Sequence, residues 1–268
     1  MKTRILTALI LIPLLVLVLL SPSTVIAGAI VIVSAVGMYE FYKATGLKEK
    51  KWLCILGYLA AIAVPLMRSF VNPQLYALFV YLFMFLLFVI MLAQHKTVSV
   101  TDAAMVIFSV VYIPYFLTNL LYIRELEHGR ILIWVPFIGA FLTDTCAYFA
   151  GVFLGRHKLC PEISPKKTIE GSIGGILGCM AVCMLYGLLM EKVWSLGVNY
   201  SSLAVLGLAM SIVSQIGDLS ASIIKRKFGI KDYGSLFPGH GGILDRLDSV
   251  IIIATLVYIY IINVGIFK

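Results

Sequence analysis

Four aspartates stand where an apolar chain should least carry them. Asp144 lies inside an apolar run and Asp218 closes another, while Asp245 and Asp248 sit three residues apart at the start of the last. A carboxylate so placed costs roughly 3 kcal/mol unless it is paired, faces a cavity or meets an ion. Asp245 and Asp248 share a helix face, and the dipole of a helix N-terminus favours a carboxylate there. That explains one acid well and leaves Asp144 and Asp218, at a similar depth, unexplained. Acids that converge on a cleft suit Mg²⁺, which takes one or two protein carboxylates and fills its shell with water and phosphate oxygens. Lys225, Arg226, Lys231 and Arg246 lie close by in sequence and suit the remaining phosphate charge. The plainer alternative for Asp144 is neutralisation by a Lys or Arg.

Two polar regions hold these residues. In the first, 143–175, Asp144, Tyr148, Gly151 and Gly155 follow i, i+4, i+7, i+11 spacing and so share one helix face. Arg156, His157 and Lys158 follow, then Ser164-Pro-Lys-Lys167-Thr168. Lys167-Thr168 looks like the end of a P-loop, but the glycines that motif requires are missing, which rules it out. What remains is a basic, hydroxyl-bearing loop entering a glycine-rich helix start at Gly171, Gly174 and Gly175. Exposed N–H groups there, together with Lys, suit phosphate oxygens. A loop held inside by its positive charge, with no ligand, fits the same residues. The second region, 216–249, contains Gly239-His240-Gly241-Gly242. Its spacing is not that of a dinucleotide fingerprint; the glycines permit a tight turn near a ligand. His240 is either a turn-stabilising side chain or a ligand contact.

The elements that must position these residues follow from composition. Of 268 residues, 61% are hydrophobic and 13% charged, and mean hydropathy is +1.03. Soluble domains carry about 25% charged residues. The expected fold is an all-α polytopic membrane protein of nine transmembrane helices, near 5–20, 24–42, 52–67, 74–92, 103–122, 131–150, 172–190, 203–218 and 249–266. The N-terminal segment resembles a signal peptide, but its apolar stretch is long for one, and an uncleaved first span is expected. With connections assigned alternately to the two sides, only Arg68, Arg124, Arg130, Lys192 and Lys268 of the 21 Lys and Arg fall on one side. Lys and Arg concentrate in cytoplasmic loops. The N-terminus is therefore expected in the cytoplasm and the C-terminus outside. Residues 1–130 form an N-terminal transmembrane region. Residues 131–268 form a catalytic one, with cytoplasmic loops at 151–171 and 219–248. Because the basic residues lie between spans, the net charge of +8 reflects topology and not nucleic-acid binding. The five cysteines show no metal-binding spacing. The pairs Gly171–Gly175 and Gly174–Gly178 suit helix packing within one chain or between two copies of it.

Taken together, Ser222, Lys225-Arg226, Lys231-Asp232, Gly234, Pro238, His240-Gly241-Gly242, Asp245-Arg246 and Asp248 resemble the signature of the phosphatidate cytidylyltransferases, or CDP-diacylglycerol synthases, of the bacterial type. Asp144, Ala147-Tyr148, Gly151, Gly155-Arg156, Ser164-Pro165, Lys167-Thr168 and Glu170-Gly171 resemble that family's upstream block. In the first five spans only Glu40, near a cytoplasmic span end, matches anything. The resemblance implies transfer of CMP from CTP to phosphatidic acid, giving CDP-diacylglycerol and pyrophosphate, with Mg²⁺, at the bacterial cytoplasmic membrane. By the same resemblance Asp218 and Asp245 ligate metal, with Asp144 and Asp248 next. Lys167, Lys225, Arg226 and Lys231 contact phosphate. Ser164, Thr168, Arg156, Tyr148, Ser222, His240, Gly241 and Gly242 contact substrate, and Arg246 joins the catalytic set. Other readings are a transferase or kinase acting on a different lipid phosphate or alcohol, a transporter, and a non-catalytic scaffold. A transporter often shows two related halves, and no internal repeat is visible here.

Overall fold

Residues 2–67, 73–237, 239 and 241–268 are described by a computed structural model. Arg68, Pro238 and His240 lie outside the described residues.

With no water to satisfy amides in a bilayer, an apolar chain must close its hydrogen bonds within each segment. The chain accordingly folds as helices: α1 (Lys2–Leu20), α2 (Ser23–Thr45), α3 (Lys51–Met67), α4 (Pro73–Ala93), α5 (Val100–Val110), α6 (Phe116–Glu125), α7 (Gly129–Leu132), α8 (Trp134–Leu154), α9 (Ile169–Trp194), α10 (Tyr200–Lys227) and α11 (Leu244–Asn263). Their ends carry local causes. Gly46, at φ 77°, terminates α2 in the left-handed conformation glycine favours. Ser99 and Asp102 form a reciprocal capping box at α5. Thr168 and Asn199 cap α9 and α10 through their side chains. A π-helical turn, Val111–Tyr115, containing Pro114, joins α5 to α6; proline lacks the N–H that a regular helix needs there.

Among the described residues, six continuous helical segments are long and apolar enough to cross a membrane: Ser23–Thr45, Gln74–Ala93, Val100–Glu125, Gly129–Leu154, Ile169–Trp194 and Tyr200–Lys227. Leu9–Leu20 and Lys51–Met67 are apolar but shorter. The protein is thus a helical membrane protein.

Three local features differ from expectation. The 151–171 connection holds a two-stranded antiparallel hairpin, β1 (Lys158–Cys160) with β2 (Ser164–Thr168). Helix α10 runs on through Lys227, so Lys225 and Arg226 sit on its last turn rather than in a loop; cations there complement the helix dipole. Helix α11 begins at Leu244 and ends at Asn263, earlier at both ends than the expected span. Beyond it Gly265 takes φ 75°, and the Lys268 N–H returns to the Gly197 carbonyl.

The chain forms two units. The first comprises Met1–Tyr122 and Asp232–Arg246, the second Ile123–Lys231 and Leu247–Lys268. In the first, Tyr42 of α2 is fully buried, and its hydroxyl shares a hydrogen bond with Ser109 of α5. That ring occupies the space a side chain at Gly57 of α3 would need. In the second, α9 lies against α8 along a strip of small residues. A Cβ at Gly171 would come within 2.8 Å of the Ala147 carbonyl, and one at Gly175 within 3.0 Å of the Ala147 Cβ. At Gly174 and Gly178 it would overlap Ala150 and Cys146. These glycines serve packing within one chain, by backbone approach.

Candidate active site

In the second unit the site begins with α8. Asp144, Tyr148 and Gly151 project from one face of it, as their spacing requires, and line a cavity of ≈ 380 Å³. Helix α9 and the hairpin close the cavity with Lys166, Lys167, Thr168, Gly171 and Ser172; α10 adds Gln215 and Asp218. Three apolar side chains, Ala147, Val152 and Leu159, complete the wall.

The hairpin carries Lys167 to α10. Its ammonium lies 2.5 Å from the Asp218 carboxylate, with both side chains about a quarter exposed. A lone two-stranded hairpin is at best marginally stable, and this one is fastened at its base. Glu170, in the first turn of α9, accepts the backbone N–H groups of Arg156 and His157. It also lies 2.6 Å from His157 Nδ1. The Ile169 N–H donates to the His157 carbonyl. Thr168 turns its hydroxyl onto the Gly171 N–H at 3.1 Å. It is therefore the N-cap of α9, and it takes up one of the amides of the glycine-rich helix start that were expected to face phosphate.

Helix α11 brings Asp248 to the same unit. Gly217 of α10 lets Asp248 and Ile252 approach: a Cβ there would lie 3.1 Å from Ile252 and 3.4 Å from the Asp248 carbonyl. Ser249 donates its hydroxyl to the Ser214 carbonyl. Asp248 is buried and feels the charges of Asp218, Lys225 and Asp144. Lys225 is buried on the last turn of α10. Three carboxylates and two lysines thus share one neighbourhood: Asp248 and Lys225 are buried, where electrostatic interactions are strong, Asp218 and Lys167 are half-buried, and Asp144 is exposed.

Metal chemistry can be tested against this donor set. Among the described residues, no three of His, Cys, Asp and Glu come close enough together to hold an ion by themselves. A hard cation with one or two protein carboxylates and phosphate oxygens needs no such cluster. Buried Asp248 beside two further carboxylates is the kind of charge excess that a cation relieves. The residues fit Mg²⁺ on that basis.

Other expected residues fall elsewhere. Arg156, Arg226 and Lys231 are exposed, and Ser164 and Ser222 are half-buried. Arg226 donates to the Ile230 carbonyl at 3.4 Å, closing the end of α10. Asp245, Gly241, Gly242 and Arg246 belong to the first unit, where Arg246 is exposed. There Asp245 Oδ2 accepts the N–H groups of Tyr233 (2.8 Å) and Gly242 (3.0 Å). Gly241 holds φ 84°, a conformation other residues rarely adopt. Lys166, Ser172 and Gln215 line the cavity without having been singled out. Gln215 donates to the Ser172 carbonyl at 3.3 Å; a polar side chain amid an apolar α10 is the signal that marks it.

Comparison with known proteins gives one answer. A family model described as the cytidylyltransferase family matches residues 2–264. A phosphatidate cytidylyltransferase of Staphylococcus epidermidis is 42% identical over 166 residues, covering 62% of this chain and 61% of that protein. The enzyme of that name from Staphylococcus haemolyticus is 33% identical over 98% of this chain and 100% of its own length. The one from Bacillus subtilis is 31% identical over 85% of this chain and 86% of its length.

Proposed function

The chain belongs to the cytidylyltransferase family, and from that premise we propose that it transfers CMP from CTP to phosphatidic acid. An oxygen of the lipid's phosphate attacks the α-phosphorus of CTP. A phosphorus–oxygen bond forms there, the bond to the β-phosphate bridging oxygen breaks, and pyrophosphate leaves with the electron pair. The products are CDP-diacylglycerol and pyrophosphate. A phosphate monoester has a second pKa of about 6, so the nucleophile is largely ionised at pH 7 and needs no activated side chain. The chain's task is to gather and orient two polyanions.

The observation that carries this reading is the cavity of the second unit, where Lys167 meets Asp218 in the company of Asp144. With substrate bound, Lys167 would turn to a phosphate oxygen and leave Asp218 free to hold a cation, so that one ion pair would be exchanged for two. Lys225, buried near Asp248, takes a second phosphate contact. Mg²⁺, when bound, supplies positive charge to the phosphoryl oxygens; Asp218, Asp144 and Asp248 are the residues to hold it. Asp245 enters the proposal as a ligand by resemblance alone.

Nine spans are proposed: the six long segments together with α1, α3 and α11. The N-terminus then faces the cytoplasm, the C-terminus lies outside, and the basic connections at 43–51, 151–171 and 219–248 face CTP across the cytoplasmic membrane surface. Diacylglycerol chains stay in the bilayer, so the lipid phosphate meets the nucleotide at that interface.

The test uses purified protein in detergent with labelled CTP, phosphatidic acid and Mg²⁺. Asp218→Asn and Asp245→Asn are expected to lose about 10²-fold or more of turnover while inserting normally. Near-normal activity in Asp218→Asn would overturn the metal assignment.

A further inference from the structure

Glu40 is buried on α2, 4% exposed, and separated by 203 residues from the backbone it holds. Its Oε1 accepts the Ile243 N–H and its Oε2 the Leu244 N–H, each at 3.0 Å. These amides open α11, where a helix leaves its first N–H groups without partners and favours negative charge. Asp245 takes the neighbouring Gly242 N–H and that of Tyr233. Two carboxylates therefore fix three consecutive amides, 242 to 244, and tie them to Tyr233.

The same carboxylate explains two glycines. A Cβ at Gly234 would overlap Glu40 Oε1, and one at Gly242 would overlap Oε2. Neither glycine has a positive φ, unlike Gly239 and Gly241. Both are glycine because the Glu40 head group fills the space a side chain would need. The rest of α2 continues the clamp: Leu244 packs where a Cβ at Gly37 would lie 3.1 Å from it, and Phe41 meets Tyr233 at 6.3 Å between ring centroids.

We propose that Glu40 is the positioning residue of the turn into α11: it fixes the backbone of residues 242–244, and through it Asp245, in the conformation that the transfer reaction uses. This rests on the reading under Proposed function and assigns a role to the N-terminal helices beyond anchoring.

The test uses the full-length enzyme in detergent with Glu40→Gln, Glu40→Asp, Glu40→Ala, Gly242→Ala and the double variant Glu40→Ala/Gly242→Ala. Three readouts are taken: kcat and KM per folded molecule, thermal unfolding, and hydrogen exchange of residues 242–244. Glu40→Gln keeps the volume but puts an NH₂ against one amide. It is expected to lower kcat about tenfold or more with KM for phosphatidic acid within about threefold. The 242–244 amides should exchange about tenfold faster. Glu40→Asp should fall between Glu40→Gln and wild type. Gly242→Ala alone should be severely impaired, and on the Glu40→Ala background it should add little, since the overlap is gone. Wild-type kcat and exchange in Glu40→Gln, or full additivity in the double variant, overturns the proposal. If Glu40→Ala does not fold, Glu40→Gln and Glu40→Asp decide it. If wild type itself yields no CDP-diacylglycerol, the reaction fails, while exchange still judges the clamp.

Discussion

Thr168 shows how one side chain can be drawn toward two roles. It lines the cavity, and its hydroxyl caps the Gly171 amide. Removing an N-cap costs about 1 kcal/mol. Thr168→Ala is therefore expected to lower the unfolding temperature measurably, and Thr168→Ser to hold it close to wild type; equal stability of all three would remove the capping role. Residue types such as Asp144, Asp218, Lys167 and Asp248 were legible as chemistry because an apolar environment makes each costly. Their pairings were not. That Lys167 meets Asp218, or that Glu40 meets Ile243 and Leu244, depends on which distant segments the chain returns to one place, and no local spacing encodes that. His157 and Glu170 are thirteen residues apart, and their pairing emerged only with the hairpin between them.

At the scale of elements, the packing of α8 on α9 and the anchoring of the hairpin carry separate predictions. A side chain at Gly174 would overlap Ala150, whereas one at Gly28 meets nothing within 4 Å. Gly174→Leu should destabilise by about 1–3 kcal/mol or more through overpacking. Gly28→Ala should be neutral, or stabilising by up to about 1 kcal/mol through helix propensity. Thermal unfolding in detergent reads both, and equal effects would contradict the close approach. Glu170→Ala releases the Arg156 and His157 amides that hold the hairpin base. It is expected to lower kcat/KM about tenfold by loosening Lys167, and to raise proteolysis within 156–168; unchanged kinetics would separate the hairpin from the site. The helices themselves were legible, because apolar runs broken by Pro, Gly and charge leave little choice. The hairpin was not: three strand residues facing five form too short a pattern to separate from a loop. The last nine residues of α10, 219–227, were missed because three basic residues in a row read equally well as a cytoplasmic loop.

For the whole molecule, the uneven distribution of Lys and Arg makes a claim about orientation. A reporter fused after Lys268 should be active only outside the cell, and one fused within residues 47–49 only inside; the reverse pair would overturn the nine-span topology. The function drawn from the family and from the cavity rests on a single chemical statement, that CMP moves from CTP to a lipid phosphate. A related lipid kinase would instead move the terminal phosphate of its nucleotide. The most direct measurement supplies phosphatidic acid and Mg²⁺ with CTP labelled at either the α- or the γ-phosphate, with and without EDTA. Label from the α-position should enter the lipid, γ-label should appear only in pyrophosphate, and chelation should stop both. Lipid carrying the γ-label, or no labelled lipid from either nucleotide, would contradict the account.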